Sequence, residues 1–214
     1  MAEMIIVRHA RSLYNNRKTS DLDSPVTPYG LKQSQKVGRF LARQFPRLHD
    51  SFWFYTSPFL RCLQTAKGVS AGVAEATGRD VFFNVRTHLR EYINHGGRQV
   101  TVPLRRVEFP EVGWGDFPSS ATSETYNDET NEQFIDRIYK FVDFAKRSCV
   151  VVTHGLPAML LTEAMVNRAN HVPVWDYSID NASVTYIKNG RAVWRGRNLH
   201  HELEEDVFEQ ELPR

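Results

Sequence analysis

Two short apolar runs that end in polar residues constrain the fold of this 214-residue chain more than any other feature. The run 4–7 leads directly into Arg8 and His9. The run 149–153 leads in the same way into His154. A buried strand normally ends at a turn residue rather than at adjacent polar side chains. Because ligands bind at the carboxyl ends of the strands in open α/β sheets, we expect both histidines at a ligand-binding edge.

The composition is that of an ordinary globular protein, with 41% hydrophobic and 24% charged residues. The 27 basic and 25 acidic residues nearly balance, so we expect neither a nucleic-acid nor a membrane partner. Cys62 and Cys149 have neither metal-site nor disulfide spacing. No leader-like segment and no run of about 18 apolar residues is present, so a cytoplasmic protein is expected. The sequence does not indicate an oligomeric state.

Six apolar or β-branched runs are predicted to be strands, and helical patterns alternate with most of them. The predicted strands cover residues 4–7, 51–56, 81–85, 149–153, 183–187 and a segment near 192–194. Such alternation predicts βα units around a parallel sheet. We therefore expect an α/β fold of three layers, with a mostly parallel central sheet and helices on both faces. The length fits one domain spanning residues 1–214.

Three helices are predicted from capping residues and apolar spacing. The first follows Thr27 and Pro28, a threonine N-cap and a first-turn proline. The second is predicted to follow Ser57 and Pro58 in the same way, and the third to cover residues 130–146. The predicted buried faces consist of Leu31, Val37, Leu41 and Phe45, then Leu63, Ala66 and Val73, then Phe134, Ile138, Phe141 and Val142.

Residues 94–128 have no clear period and are interrupted by glycines and prolines. We predict an ordered excursion over the sheet edge that acts as a lid or specificity loop. Phe109, Trp114 and Phe117 supply apolar anchors, which argues against a disordered linker. The acidic tail, residues 202–214, is expected to be a solvated helix or a frayed end.

Four polar signatures follow four apolar runs, and a parallel sheet would bring them to one edge. They are Arg8-His9, Ser57-Pro58 with Arg61, Arg90-Glu91 and His154-Gly155. Arginine forks bind phosphate oxygens bidentately, and a histidine can take a phosphoryl group on a ring nitrogen. A neighbouring carboxylate can protonate the leaving oxygen and later activate water. This set of side chains favours phosphoryl transfer through a phosphohistidine, with no metal required.

These signatures resemble the motifs of the histidine phosphatase superfamily, which has the phosphoglycerate mutase-like fold. Matching segments occur in family order at residues 8–15, 26–33, 57–66, 89–91, 128–137, 151–155 and 181–183. They extend over nearly the whole chain, and an ordered set of motifs is far more specific than a single one. The resemblance therefore implies a mostly parallel sheet flanked by helices.

The resemblance also implies a role for each matched polar residue. His9 would be the nucleophile that becomes phosphorylated, Glu91 would be the proton donor, and His154 would be the third catalytic residue. The implied phosphate pocket consists of Arg8, Asn15, Arg61 and His154. The implied activity is that of a metal-independent phosphomonoesterase without a cofactor, acting on a small phosphorylated metabolite.

Two departures from the family pattern leave alternatives open. Ala10 replaces the glycine after the nucleophile, which is harmless only if φ is negative there. Arg11 replaces an acidic or amide residue, and it either contacts a second anionic group of the substrate or points to solvent. Glu108 and Glu111 in the excursion compete with Glu91 for the role of acid.

Several other polar residues are predicted to lie outside the chemistry. His88 and His95 flank the site and either contact the substrate or, as we expect, are surface loop residues. Arg98, Arg105 and Arg106 either reach a distal anionic group or, as we expect, form a solvated face. The group His200-His201-Glu202 lacks helical zinc spacing, so no metal site is predicted.

We expect hydrolysis of phosphomonoesters. The first alternative is a cofactor-dependent phosphoryl mutase of the phosphoglycerate type, which would carry a longer region after the acid motif. The second alternative is a phosphoester-binding module without turnover. The sequence does not identify the substrate.

Overall fold

The computed structural model describes residues 2–94, 96–97, 99–166 and 179–199. In chain order the strands are β1 (Met4–Arg8), β2 (Trp53–Thr56), β3 (Asn84–Val85), β4 (Val100–Pro103), β5 (Ser123–Tyr126), β6 (Cys149–Thr153), β7 (Val184–Lys188) and β8 (Arg191–Arg197). The helices are α1 (Pro28–Gln44), α2 (Leu48–Ser51), α3 (Leu60–Thr77), α4 (Asn131–Phe144) and α5 (Gly155–Val166). A 3-10 turn covers Thr87–Leu89.

Six of the strands form one sheet in the order β3-β2-β6-β1-β7-β8. The first four run parallel to one another, whereas β7 and β8 are antiparallel additions at one side. In the central pair β1–β6, Arg8 lies opposite Thr153. The two strands therefore end side by side, and His9 and His154 emerge together at their carboxyl ends.

Helices cover both faces of this sheet because the strand side chains alternate in direction. Ile5 and Val7 of β1 belong to a core cluster that includes buried residues of α1 and α3. Met4 and Ile6 belong to a second cluster that includes buried residues of α4 and α5. The predicted mostly parallel α/β sheet with helices on both faces is confirmed.

The predicted start of the second helix is wrong, because α3 begins at Leu60 rather than at Pro58. The Ser57 N–H continues the strand ladder by donating to the Val152 carbonyl at 3.0 Å. The Ser57 hydroxyl bonds to the His154 ring instead of capping the helix. Phe59 takes the N-cap position without a side-chain cap.

Leu31, predicted to be buried, is 42% exposed. The first turn of α1 lies so close to the chain at Arg11 that an added Cβ on Gly30 would be 2.3 Å from the Arg11 carbonyl oxygen. The buried side of this turn is therefore the Gly30 side, which turns Leu31 outward. Farther along the helix Val37 and Leu41 are fully buried, as predicted.

The segment 94–128 contains an unpredicted two-stranded antiparallel ribbon, β4–β5. Phe109 and Phe117 are buried and Trp114 is partly buried beside Leu63 of α3, so the predicted aromatic anchors pack inside. The ribbon side chains cluster around Phe59 just ahead of α3. Two strand limits also shift, since β2 begins at residue 53 after the short helix α2, and β3 covers only residues 84–85.

No helix in the described ranges is long and apolar enough to cross a membrane. The predictions for His95, Arg98, the group 200–202 and the tail 202–214 concern residues outside those ranges.

Candidate active site

His9 follows β1 directly and is only 2% exposed. Its backbone N–H donates to the Thr153 carbonyl at 2.7 Å, which continues the β1–β6 ladder by one residue. The ring Nδ1 donates to the Ala10 carbonyl at 2.8 Å, and Nε2 accepts from Nε of Arg61 at 3.1 Å. This arrangement fixes the tautomer, so the Nε2 lone pair faces the arginine side of the site.

Alanine can replace the family's glycine at position 10 because φ is not positive there. In the described chain the non-glycine residues with positive φ are Arg17, Ala182 and Asn189, so Ala10 is outside the left-handed region. Its N–H donates to the Thr65 hydroxyl at 2.9 Å.

Thr65 is a site residue that the sequence reasoning missed. Its hydroxyl also donates to the Arg61 carbonyl at 2.6 Å, so it joins the loop of His9 to the helix of Arg61. Its place in the matched segment 57–66 was the available signal.

Two buried arginines flank His9. Arg61, in the first turn of α3, is 3% exposed and donates through Nη1 to the Leu22 carbonyl. Arg8 donates through Nη1 to the Ile179 carbonyl. Among the described residues, no partner is found for the buried Nε of Arg8. A buried donor of this kind suits an anionic ligand, because an unpaired buried polar group is otherwise costly.

His154 follows β6 and is fully buried. The Ser57 hydroxyl is hydrogen-bonded to its Nε2 at 2.8 Å, and its Nδ1 faces Oε2 of Glu91 at 3.5 Å. Its ring centroid lies 5.3 Å from that of His9. Ser57, predicted at this edge of the sheet but without a role in the pocket, therefore orients His154 with Nδ1 toward the other catalytic candidates.

The Glu91 carboxylate lies between His154 and Arg61. Its Oε2 is 3.6 Å from Nη2 of Arg61, and its Oε1 accepts from the Tyr92 N–H at 3.0 Å. The side chain is 26% exposed, so it borders the opening of the pocket. The structure thus brings Glu91 together with the predicted His9, Arg8, Arg61 and His154.

The competing acids have other partners. Glu108 pairs with Arg105 at 3.8 Å, and Glu111 pairs with Lys67 at 3.4 Å. Arg105 was predicted to be a solvated surface residue, which is wrong. Its Nη1 bonds to the buried Asp23 at 2.7 Å and joins the 94–128 segment to the loop before α1.

The electrostatics favour opposite protonation states for the histidines and the acid. Burial lowers the pKa of His9 well below its usual 6.5, and the charges of Arg61 and Arg8 lower it further. Burial lowers the pKa of His154 in the same way, again with help from Arg61. Burial raises the pKa of Glu91 above 4.5, although Arg61 opposes this. The site therefore favours neutral imidazoles beside a carboxyl group that holds its proton longer than usual.

Asn15 lies at the exposed mouth of the site. Its Oδ1 accepts from the Ser12 hydroxyl at 2.8 Å and from Nδ2 of Asn181 at 3.1 Å, and that same amide donates to the His9 carbonyl. Arg11 donates through Nε to Oδ1 of Asn16, so its guanidinium is directed into its own loop.

Within the described ranges, no group of three or more His, Cys, Asp and Glu side chains is arranged to hold a metal ion.

The family model of the histidine phosphatase superfamily (branch 1) matches residues 4–200. The chain therefore belongs to this superfamily, as its ordered motifs predicted. Fructose-2,6-bisphosphatase TIGAR of Xenopus tropicalis is 28% identical over 148 residues, which is 67% of this chain and 50% of that protein. The chain thus spans about half the length of this relative.

Solved structures share the fold. The ecdysone phosphate phosphatase of Bombix mori, in complex with tungstate, superposes with a TM-score of 0.66 at 16% identity, covering 92% of this chain and 94% of that one. The mycobacterial glucosyl-3-phosphoglycerate phosphatase, in complex with VO3, gives a TM-score of 0.57 at 18% identity, covering 92% of this chain and 100% of that one. At these identities the likeness concerns the fold alone.

Proposed function

We propose that this protein is a metal-independent phosphomonoesterase that hydrolyses small phosphorylated metabolites through a phosphohistidine on His9. The observation that carries the proposal is the state of the His9 ring. Its Nδ1 is committed to the Ala10 carbonyl, and its Nε2 faces the buried guanidinium of Arg61. A neutral imidazole beside fixed positive charge suits nucleophilic attack on a phosphate ester.

In the first step of the proposed reaction, the phosphate oxygens bind the guanidinium groups of Arg8 and Arg61 and the Nδ1–H of His154. The N–H of Arg61 Nε, which donates to Nε2 of His9 in the free site, donates to a phosphate oxygen instead, and this change of acceptor frees the Nε2 lone pair. Nε2 then forms a bond to phosphorus while the bond from phosphorus to the ester oxygen breaks. The Glu91 carboxyl group donates its proton to that leaving oxygen.

In the second step, water attacks the phosphorus of the phosphohistidine. Glu91, now a carboxylate, takes one proton from this water, the N–P bond breaks, and inorganic phosphate leaves. The electron pair returns to Nε2 of His9, and Glu91 regains the proton that it lost. The cycle therefore closes with no oxidant, reductant or metal ion.

The mouth of the site supports a substrate with a second anionic group. A surface cavity of about 620 Å³ beside Asn15 is lined by Tyr14, Asn15, Arg17, Lys18, Thr19 and Ser20. Arg17 and Lys18 are exposed there. Two of the relatives are named for a bisphosphate and for a phosphoglycerate. We expect esters with a second acidic group to have lower KM than neutral-tailed esters of similar size.

Phosphate release from a panel of both kinds of ester, measured with excess chelator, tests this proposal. Wild type is compared with His9→Ala and with His49→Ala, a matched control whose ring bonds to the Arg79 carbonyl instead. We expect turnover in the wild type and the control, and none in His9→Ala. Turnover that persists in His9→Ala would contradict the mechanism. Transfer between esters that requires a bisphosphate primer, without net release, would instead indicate the mutase, and binding without either reaction would indicate the binding module.

A further inference from the structure

Glu129 and Arg137 form a buried ion pair that no step of the proposed reaction uses. Their exposed fractions are 6% and 8%. Nε of Arg137 donates to Oε2 of Glu129 at 2.9 Å, and Nη2 donates to Oε1. Nη2 of Arg90 adds a third bond to the same carboxylate at 3.0 Å. Glu129 stands just before the N-cap of α4, and Arg137 reaches back to it from two turns along that helix.

The remaining donors of Arg137 bind the main chain that carries Glu91. Nη1 donates to the His88 carbonyl at 2.6 Å and to the Arg90 carbonyl at 3.0 Å. Nη2 also lies 3.5 Å from the Glu91 carbonyl. One planar guanidinium therefore holds three carbonyl groups in the segment 88–91, which suits the rigid fork of arginine.

The Glu91 carboxylate has few side-chain contacts of its own to fix it. Among the described residues, its nearest charged partners are 3.5 and 3.6 Å away, and its one shorter bond is to the next residue along the chain, Tyr92. The position of the carboxylate therefore depends on the main chain beneath it. That main chain is also held at Leu89, whose carbonyl accepts from the Thr153 hydroxyl at 2.7 Å.

We propose that Arg137, itself oriented by Glu129, is a positioning residue that sets the Glu91 carboxyl group at the leaving oxygen of the substrate. This inference rests on the proposed function, because it concerns the proton donor of that reaction. A buried ion pair is a weak source of net stability, since desolvation offsets most of the attraction between the charges. We therefore attribute the presence of this ion pair beside the acid to the geometry that it imposes on residues 88–91.

The loss of rate in a variant should depend on the leaving group of the ester if Arg137 positions the acid, and should not if Arg137 has only a general structural role. An alkyl phosphate needs a proton on its leaving oxygen, whereas 4-nitrophenolate leaves without one. A positioned general acid contributes about 10²–10⁴-fold. We expect Arg137→Lys, which keeps the charge but lacks the fork, to lower kcat/KM, which reports the step that expels the leaving group, at least about 10-fold more for an alkyl phosphomonoester than for 4-nitrophenyl phosphate. Glu91→Gln should show the same selectivity.

A double variant and a matched control complete the test. Glu91→Gln with Arg137→Lys should be no slower on the alkyl ester than Glu91→Gln alone, because Arg137 acts through Glu91. Glu129→Gln, which weakens the pairing that orients Arg137, should show the same selectivity as Arg137→Lys. Its control is Glu163→Gln, since Glu163 is also a buried carboxylate bonded to an arginine, Arg195, at 2.9 Å. The control should affect both esters equally. Equal losses on both esters in Arg137→Lys, multiplying with those of Glu91→Gln, would overturn the proposal.

Failure of the proposed function would be recognised separately. If the wild type hydrolyses neither ester, the proposed activity is wrong, and the positioning role is then judged by a titration of the Glu91 carboxyl carbon by NMR. Arg137→Lys should return the raised pKa of Glu91 toward its ordinary value, because the released carboxyl group becomes hydrated. An unchanged titration would overturn the positioning role.

Discussion

Replacing Thr65 by valine should expose how strongly the loop of His9 depends on one buried hydroxyl. The hydroxyl accepts the Ala10 N–H at 2.9 Å and is fully buried. Valine has nearly the same shape but no acceptor, so the Ala10 N–H would be left without a partner inside the protein. The Arg61 carbonyl also accepts a hydrogen bond from this hydroxyl, and it keeps its main-chain hydrogen bond within α3 in the variant.

The expected cost follows from that single unpaired donor. A buried backbone N–H without an acceptor costs about 1–3 kcal/mol. For a domain of this size, each kcal/mol corresponds to about 2–4 °C in Tm. Urea denaturation of Thr65→Val should show this loss of unfolding free energy. Phosphate release should also fall, because the Ala10 carbonyl holds Nδ1 of His9.

Thr162 provides a matched control for this prediction. It is a fully buried helical threonine whose hydroxyl donates to the Ala158 carbonyl at 2.8 Å, in the way that Thr65 donates to Arg61. No backbone N–H bond to the Thr162 hydroxyl is seen among the described residues, so Thr162→Val should be nearly neutral. Equal destabilisation by the two variants would refute the reasoning.

Further predictions concern pH and helix packing. After correction for ionisation of the ester, kcat/KM for an alkyl phosphate should have a bell-shaped dependence on pH. The acid limb reports protonation of His9 and should lie below pH 6.5, because the pKa of His9 is lowered. The alkaline limb reports deprotonation of Glu91 and should lie above pH 4.5, because the pKa of Glu91 is raised. Glu91→Gln should remove the alkaline limb, and a limb that remains would mean that another group donates the proton. Gly72→Ala would place a Cβ 2.1 Å from the Gln35 carbonyl oxygen, where α3 crosses α1. It should cost about 1–3 kcal/mol of unfolding free energy in urea denaturation. Gly115→Ala should not, because no atom of the described residues lies within 4 Å of its added Cβ.

The central strands and the two histidines could be predicted because local sequence determines them. A run such as 149–153 has no polar residue before Thr153 and is buried throughout, as strands covered on both faces are. Parallel pairing then requires the ends of β1 and β6 to meet, which brings His9 beside His154. The antiparallel pairing of β7 with β1, and of β8 with β7, could not be predicted in this way. It depends on which edge of the sheet is left unpaired, and no local sequence pattern shows that.

Other features depended on tertiary contacts that the sequence does not display. Leu31 has the spacing of a buried residue, but the close approach of Gly30 to Arg11 determines which side of α1 faces inward. Ser57 has the residue type of an N-cap, yet the buried ring of His154 competes for its hydroxyl. Arg137 lies in the matched segment 128–137, but that motif does not show that it will bind three carbonyls in residues 88–91.

The supports of the site escaped prediction for the same reason. Thr65 and Ser57 lie inside a recognised motif, but a motif identifies residues without saying which atoms they hold. The role of 94–128 as a lid or specificity loop stays a prediction, although its ribbon and its buried aromatic residues are now defined.

The most direct measurement is the isomer of phosphohistidine formed during turnover. Wild type is quenched in alkaline denaturant with a slowly hydrolysed ester, and the peptide containing position 9 is analysed by mass spectrometry and phosphorus NMR, with His9→Ala as the control. Because Nδ1 of His9 donates to the Ala10 carbonyl, the account predicts a phosphoryl group on Nε2 of His9. Phosphate release with no adduct at His9, or an adduct on Nδ1 or on His154, would contradict it.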